Sequence, residues 1–559
     1  MTHRPVDVVR GAVLAQPDGS TSDAVDLLLD GGTVTAVEPG TSRAPAGAQV
    51  IDAGGRLALP GFVDAHVHGA AAVFDAEVLR ALLRQGVTSI VVGSDGVGFA
   101  PSDERSYAWA AGYFAGIDGA HPAFRGGSVA ELLATYDGTT AVNVAALAPH
   151  GTMRYTVMGA EQRPARPHEL AHMAELLAAA FDDGACGMST GLEYVPAAWA
   201  DDDELVALAR VAASRGLPHV SHMRGYEGLA EPALAELVRI ARASGVATHV
   251  SHLHGPSGAL VRMLDDVLDA GLDLTFDSYP YLRGCSILAM VALPTWLPLA
   301  DPEATLAALE RPEGRLRAHL ATLDGLWPRV TMAWAPGTED AAGRTVPELA
   351  ARWGVPPADA ALRLLVASRL RASCVFAQPP TNSAESVRAL ANHRAHLAGS
   401  DAIYQPVGLL PGDGRAHPRG WGAFARLVAE RVLDTGDWTW HDAVEHLSAR
   451  AARRLGFARQ GRLDAGAAAD VVLVDPGAVR DHATYDDPRR PATGIDDVLV
   501  AGVPVLRGGE LTGAAAGRPL RPTRRMTGAG HADRGSGPNT PADRKPGRTG
   551  TRDRELEES

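Results

Sequence analysis

The chain has 559 residues and a formal net charge of -14. That length exceeds one simple core, so a large domain, a smaller one and a tail are expected, and the acidic balance argues against nucleic acid or an anionic membrane as partner. Residues 1–15 lack a long apolar segment and no apolar run reaches membrane-spanning length, so the expectation is a cytoplasmic protein.

The first 56 residues hold short β-rich runs at 8–13, 24–29 and 33–37, with a turn at Gly31 and Gly32, and predict part of a small β domain. Strands and helical stretches alternate from there. Strands are predicted at 57–68, 86–96, 141–150, 185–194, 219–224, 247–254, 272–281 and 395–401. Helical patterns fill 167–181, 201–215, 231–243 and 260–270 between them. More than a hundred residues separate the seventh strand from the eighth, too many for a loop, and they carry helical patterns of their own around 346–370. An inserted subdomain over about 284–394 follows. After a helical stretch at 440–455, β patterning returns over 461–474 and 495–505.

Eight βα units between β-rich ends predict an α/β fold: a TIM-type (β/α)8 barrel over 57–456 with a small β-sandwich domain built from 1–56 and 457–512. Residues 513–559, rich in Gly, Pro, Arg, Thr and Asp, are expected to be a disordered tail.

In such a barrel the chemistry sits at the C-terminal ends of the strands. His66 and His68 end the first predicted strand one residue apart, so both imidazoles, and Asp64 with them, project to one side. His222 ends the fifth strand, His252 the sixth and Asp401 the eighth. Four histidines and a carboxylate on one rim make a divalent metal site. Asp95 after strand two and Glu193 after strand four are placed to reach it, as ligands or as acceptors for a ligating histidine. Nitrogen and oxygen ligation suits zinc, one or two ions, with manganese or iron as alternatives. Asp401 is the best-placed base. His219 and His249, at odd spacing from their partners, are expected to face the barrel exterior. The cysteines, Cys186, Cys285 and Cys374, have no metal-like or disulfide-like spacing. The only lysine is Lys545, so no lysine of the folded body can serve as a base or a carbamylated bridge.

These segments resemble the amidohydrolase superfamily, and within it the N-acyl-D-amino-acid deacylases (D-aminoacylases). The resemblance rests on residues 60–68, 86–96, 143–154 (Asn-Val-Ala-Ala-Leu-Ala-Pro-His-Gly-Thr-Met-Arg), 188–194 (Met-Ser-Thr-Gly-Leu-Glu-Tyr), 221–224, 251–253, 277–281, 399–401, 417–419 and 461–476. It implies zinc-dependent hydrolysis of an N-acyl-D-amino acid to a carboxylate and a free D-amino acid. It also implies that an arginine (Arg419), a tyrosine (Tyr279 or Tyr281) and a serine (Ser286) hold the α-carboxylate, with His254 where the family has an auxiliary lysine. Asp95 stands where the family has a metal-binding cysteine. Hydantoinase-like relatives use a carbamylated lysine on strand four, which this chain lacks. The alternative reading is another C–N hydrolase of the superfamily, acting on a cyclic amide or an acylated amine without a free carboxylate. A small-molecule substrate is expected in either case, and oligomeric state is not readable from the sequence.

Overall fold

Residues 4–40, 46–404 and 415–523 are described in the computed structural model. Its first sheet draws on both ends of the chain. The strand order is Glu510–Leu511, Val503–Arg507, Ile495–Val500, Val471–Val474, Leu57–Pro60, Val8–Leu14, Val25–Asp30, Thr33–Pro39, with Val50–Asp52 also paired to Val8–Leu14. The strand Val8–Leu14 belongs to both halves. Val8 to Arg10 pair with Val50–Asp52, and Val13 and Leu14 pair with Leu57 and Ala58. Between them the register with Val25–Asp30 shifts at Gly11, which sits at φ 64. A bulge there bends the strand, and glycine adopts that conformation without a Cβ penalty. The two halves enclose one core of Val9, Leu27, Val34, Ile51, Val471 and Leu473.

At Gly61 the chain passes from this sheet into the barrel, so the single run expected over 57–68 is divided. A Cβ at Gly61 would lie 1.9 Å from Thr88 Oγ1, which leaves glycine as the residue that fits. The barrel strands are Phe62–Asp64 with Val67–His68, Val87–Val92, Asn143–Ala146 with Ala148–Pro149, Met188–Gly191, His219–His222, Thr248–Val250, Leu274–Ser278 and His396–Ala398. Each pairs in parallel with the next. The barrel closes where Ala65 donates to the Ala398 carbonyl, Asp401 to the His66 carbonyl, and Ala402–Ile403 lies parallel to Val67–His68. Its interior is filled by small and branched side chains, among them Val63, Val91, Ala145, Val220 and Leu397. Leu455 and Phe457 join the same cluster.

The insertion folds around its own antiparallel sheet, with Ser373–Ala377 between Arg283–Ile287 and Val330–Trp334. Its separate core includes Ile287, Leu316, Trp327, Leu349 and Leu364. The helical pattern at 346–370 is two helices, Val346–Trp353 and Pro357–Ala367. Gly354 ends the first at φ 65, and the two prolines that follow start the second.

The tail does not begin at 513. Gly517 donates to the Thr140 carbonyl, Val144 to Arg518 and Leu520 to Val144, so the chain to 523 runs along the third barrel strand. Backbone pairing and the side chains Leu520 and Pro522 supply what the composition of that stretch did not suggest. The disorder expected for 524–559 lies outside the described residues.

Candidate metal centre

The strand ends bring the expected ligands to one rim. Ligand-type atoms of His66, His68, Asp95 and Asp401 lie within 4.8 Å of one another, and so do those of Asp95, His222 and His252. Asp95 is common to both groups. Its Oδ1 is 3.5 Å from His66 Nε2 and 3.6 Å from His252 Nε2. Its Oδ2 is 3.5 Å from His68 Nε2 and 3.7 Å from His222 Nδ1. Asp401 Oδ1 is 3.6 Å from His66 Nε2 and 3.5 Å from His68 Nε2.

This donor set fits a divalent metal ion. Both ring nitrogens of His66 and Oδ1 of Asp95 are buried without a hydrogen-bond partner, which is costly unless a cation completes them. The electrostatics also call for positive charge. Burial alone would lower the pKa of His66, but Asp95 and Asp277 push it up to about 10. Burial likewise opposes the charge on His222, yet Asp95 and Glu193 raise it to about 9. Burial would raise Asp95, and the imidazoles of His66 and His222 instead hold it well below the usual carboxylate range. Imidazole nitrogen with carboxylate oxygen is a donor set for a borderline divalent ion.

Three of these residues have left-handed backbones: Asp95 at φ 58, His252 at φ 34 and Asp401 at φ 50. Such conformations are uncommon for side-chain-bearing residues and concentrate at functional sites. They also break the alternation of a strand. The sixth strand ends at Val250, and the turn at His252 swings its imidazole inward.

That turn corrects the placement of His249. It is registered with Val220 and Thr275, and Val220 packs inside the barrel. His249 therefore faces inward too. Its Nε2 is 2.8 Å from Asp277 Oδ2, and Asp277 Oδ2 is 3.6 Å from His66 Nδ1. Oδ1 of Asp277 accepts the backbone N–H of His252 at 2.8 Å. Asp277 thus orients two histidines of the centre, a role sequence reasoning missed. Its position four residues into a barrel strand was the available signal. His219 does turn away, toward Thr190, 2.8 Å from its hydroxyl.

Of the two roles expected for Glu193, ligand or acceptor for a ligating histidine, its position suits the second. Its Oε2 lies 2.9 Å from His222 Nε2, the nitrogen opposite the one facing Asp95, and it belongs to neither ligand group. It holds the ring in orientation. Asp118 stands 3.5 Å from His68 Nδ1 in a similar position. Asp64 does not join the ligands either. It accepts from the Ser400 backbone at 2.9 Å and from its hydroxyl, and so holds the loop that carries Asp401.

The substrate-side expectations divide. Tyr279 and Ser286 line the cavity over the centre, and Ser286 Oγ is 2.9 Å from the hydroxyl of Tyr194. Tyr194 was not singled out from the sequence. Tyr281 faces elsewhere, under Arg426 and beside Tyr485. Its N–H donates to the Tyr279 carbonyl at 3.0 Å, a three-residue turn around Pro280 that ends the alternation. His254 lines the cavity, but Nδ1 donates to the His252 carbonyl at 2.9 Å and burial pushes its pKa down to about 4. It is a neutral side chain stacked on Tyr226, not an auxiliary cation. Arg419 is fully buried at the start of the helix Arg419–Val428, not on a surface loop. Its guanidinium lies over the Tyr279 ring with Nη1 2.7 Å from Asp401 Oδ2. It is not among the cavity-lining residues, and its Nε has no hydrogen-bond partner.

A closed parallel barrel with a histidine–aspartate centre for divalent metal at its C-terminal rim defines a metal-dependent hydrolase. The chain belongs to the amidohydrolase family, whose model matches residues 49–506. The N-acyl-D-glutamate deacylase of Alcaligenes xylosoxydans xylosoxydans is 32% identical over 520 residues, 89% of this chain and 93% of that protein. The D-aminoacylase of the same organism is 29% identical over 530 residues, 93% of this chain and 98% of that one. The crystal structure of N-acyl-D-glutamate deacylase from Bordetella bronchiseptica, complexed with zinc and a phosphonate inhibitor, matches at TM-score 0.76 and 30% identity, covering 93% of this chain and 100% of that one. No helix among the described residues is long and apolar enough to cross a membrane.

Proposed function

We propose that this protein hydrolyses the amide bond of N-acyl-D-amino acids, releasing a carboxylate and a free D-amino acid, with zinc as its metal. The observation that carries this reading is Asp401, its Oδ1 facing His66 and His68 while its Oδ2 is held by Arg419, at one end of a cavity open to a small molecule. The whole-length similarity to deacylases supports the substrate class.

His66, His68, Asp95, His222, His252 and Asp401 would hold the metal. When bound, it acidifies water and polarises the scissile carbonyl. Burial would raise Asp401, but Arg419 and the nearby histidines hold its carboxyl down to about 2, so it is ionised and able to accept a proton. Asp401 takes the proton of the attacking water and returns it to the departing nitrogen. Glu193, Asp277 and Asp118 fix the rings of His222, His66 and His68. Ser286 of the insertion and Tyr194 after the fourth strand offer hydroxyls to the substrate. The free Nε donor of Arg419 makes it the candidate for the α-carboxylate, shared with Asp401. Three buried free cysteines suit a cytoplasmic setting.

The position of Arg419 behind Asp401 favours a second reading, a C–N hydrolase whose substrate has no free carboxylate. Metal analysis paired with a panel of N-acyl-D-amino acids, their L enantiomers, their amides and lactams decides between them. Turnover confined to the D acids supports the deacylase. Equal turnover of acid and amide supports the second reading.

A further inference from the structure

The cavity over the metal centre holds about 260 Å³. Its apolar lining includes Ile117, Leu229, Met290, Val291, Leu326 and Phe376, four of them from the insertion. Apart from the histidines, Arg329 is the one cationic residue among the described residues lining it. That cation is already engaged. Its Nε donates to the Ala377 carbonyl at 2.6 Å and its Nη2 to Glu227 Oε1 at 2.8 Å. Glu227 is held at φ 55, a left-handed backbone that aims it at the cavity. Glu193 lines the same space. A side-chain carboxylate entering this cavity would meet a guanidinium already paired with Glu227, an imidazole already paired with Glu193 and an apolar lining. An ion buried without its own partner is strongly disfavoured, whereas an apolar group gains by leaving water.

Resting on the deacylase reading above, we propose that the enzyme selects N-acyl-D-amino acids with apolar side chains and rejects those of D-glutamate and D-aspartate. The Glu227–Arg329 pair is the specificity device. It cancels the charge that would otherwise recruit an acidic side chain, and the insertion supplies most of the apolar lining.

The test compares kcat/KM of the full-length, zinc-loaded enzyme on N-acetyl-D-leucine, N-acetyl-D-methionine and N-acetyl-D-phenylalanine with N-acetyl-D-glutamate and N-acetyl-D-aspartate. The apolar substrates should lead by about 100-fold or more, the scale on which a site rejects a group it cannot pair. Glu227→Gln frees the charge of Arg329, so the acidic-to-apolar ratio should rise about tenfold, and adding Arg329→Met should reverse that rise. A wild-type preference for D-glutamate or D-aspartate overturns the proposal, even if the variants fail to fold. A ratio unmoved by Glu227→Gln removes the pair from specificity. Turnover of all five substrates without discrimination leaves the deacylase standing and overturns only this inference. Turnover of neutral amides or lactams but of none of the five overturns the deacylase reading itself, and this inference with it.

Discussion

Arg419 and Asp401 form a buried ion pair, Nη1 to Oδ2 at 2.7 Å, directly behind the carboxylate oxygen that faces His66 and His68. One aspartate thus has its two oxygens assigned to different partners, one to the centre and one to a permanent cation. Asp401→Asn should keep most metal, since His66, His68 and Asp95 remain, but lose kcat by about 10²–10⁴-fold because an amide cannot accept the proton. It also leaves Arg419 buried without a counter-charge, at a cost of about 3 kcal/mol in stability. Single-turnover kinetics and thermal denaturation measure the two effects separately. Near-wild-type turnover would take Asp401 out of the chemistry.

Removal of the histidines should be graded. His222→Ala and His252→Ala each delete a donor from the group around Asp95 and should release metal and abolish activity. His249→Ala frees Asp277, which contacts His66 and the His252 backbone, so metal affinity should weaken about tenfold without being lost. Competition with a chromophoric chelator ranks the three. An affinity in His249→Ala equal to wild type would disconnect Asp277 from the centre.

Asp95 faces four imidazoles with two hard oxygens. Asp95→Cys puts a thiolate between the same rings and should tighten zinc binding while weakening manganese. The readout is metal content after dialysis against graded chelator, which needs no substrate. If zinc is lost more easily from the cysteine variant, Asp95 is not a ligand.

Away from the centre, Glu204 of the helix Asp202–Ser214 fixes the helix His150–Met158 that follows the third strand. It is buried, with Oε1 2.8 Å from His150 Nε2 and 2.9 Å from Arg154 Nε, and Oε2 accepting from Ala165 N–H at 3.1 Å. Burial would raise its pKa, but His150 and Arg154 bring it down to about 2, well below the ordinary glutamate value of about 4.5. A carboxylate with a depressed folded pKa contributes stability above its unfolded value and loses it as pH falls through the folded one. The contribution, roughly 3 kcal/mol, should be complete above pH about 4.5 and fade toward pH about 2. Glu204→Gln should lower Tm at neutral pH and flatten its decline over that window. A variant whose Tm falls with acid as steeply as the wild type would assign acid sensitivity to other carboxylates.

Periodicity and strand-end chemistry carried the reading a long way. The alternation of apolar runs with helical patterns was enough for the barrel, and the length between residues 281 and 395 for the insertion. His66, His68, His222, His252 and Asp401 were legible because each sits at or just past the end of an apolar strand, and a closed parallel barrel brings such ends together. Asp95 was legible by position, and the structure adds that it is shared between two groups of side chains able to hold a metal ion.

What the tertiary structure alone decided depends on breaks in regular geometry and on partners distant in sequence. Alternation predicts facing only while the backbone stays extended. The left-handed turn at His252 put His249 inside the barrel, and the turn at Pro280 sent Tyr281 away from the site. Which of its two expected roles suits Glu193 was decided by its 2.9 Å contact with His222. Arg329 was silent in the sequence because its meaning comes from Glu227, 102 residues earlier. A charge pattern along the chain shows which groups exist, and only packing shows which charges cancel.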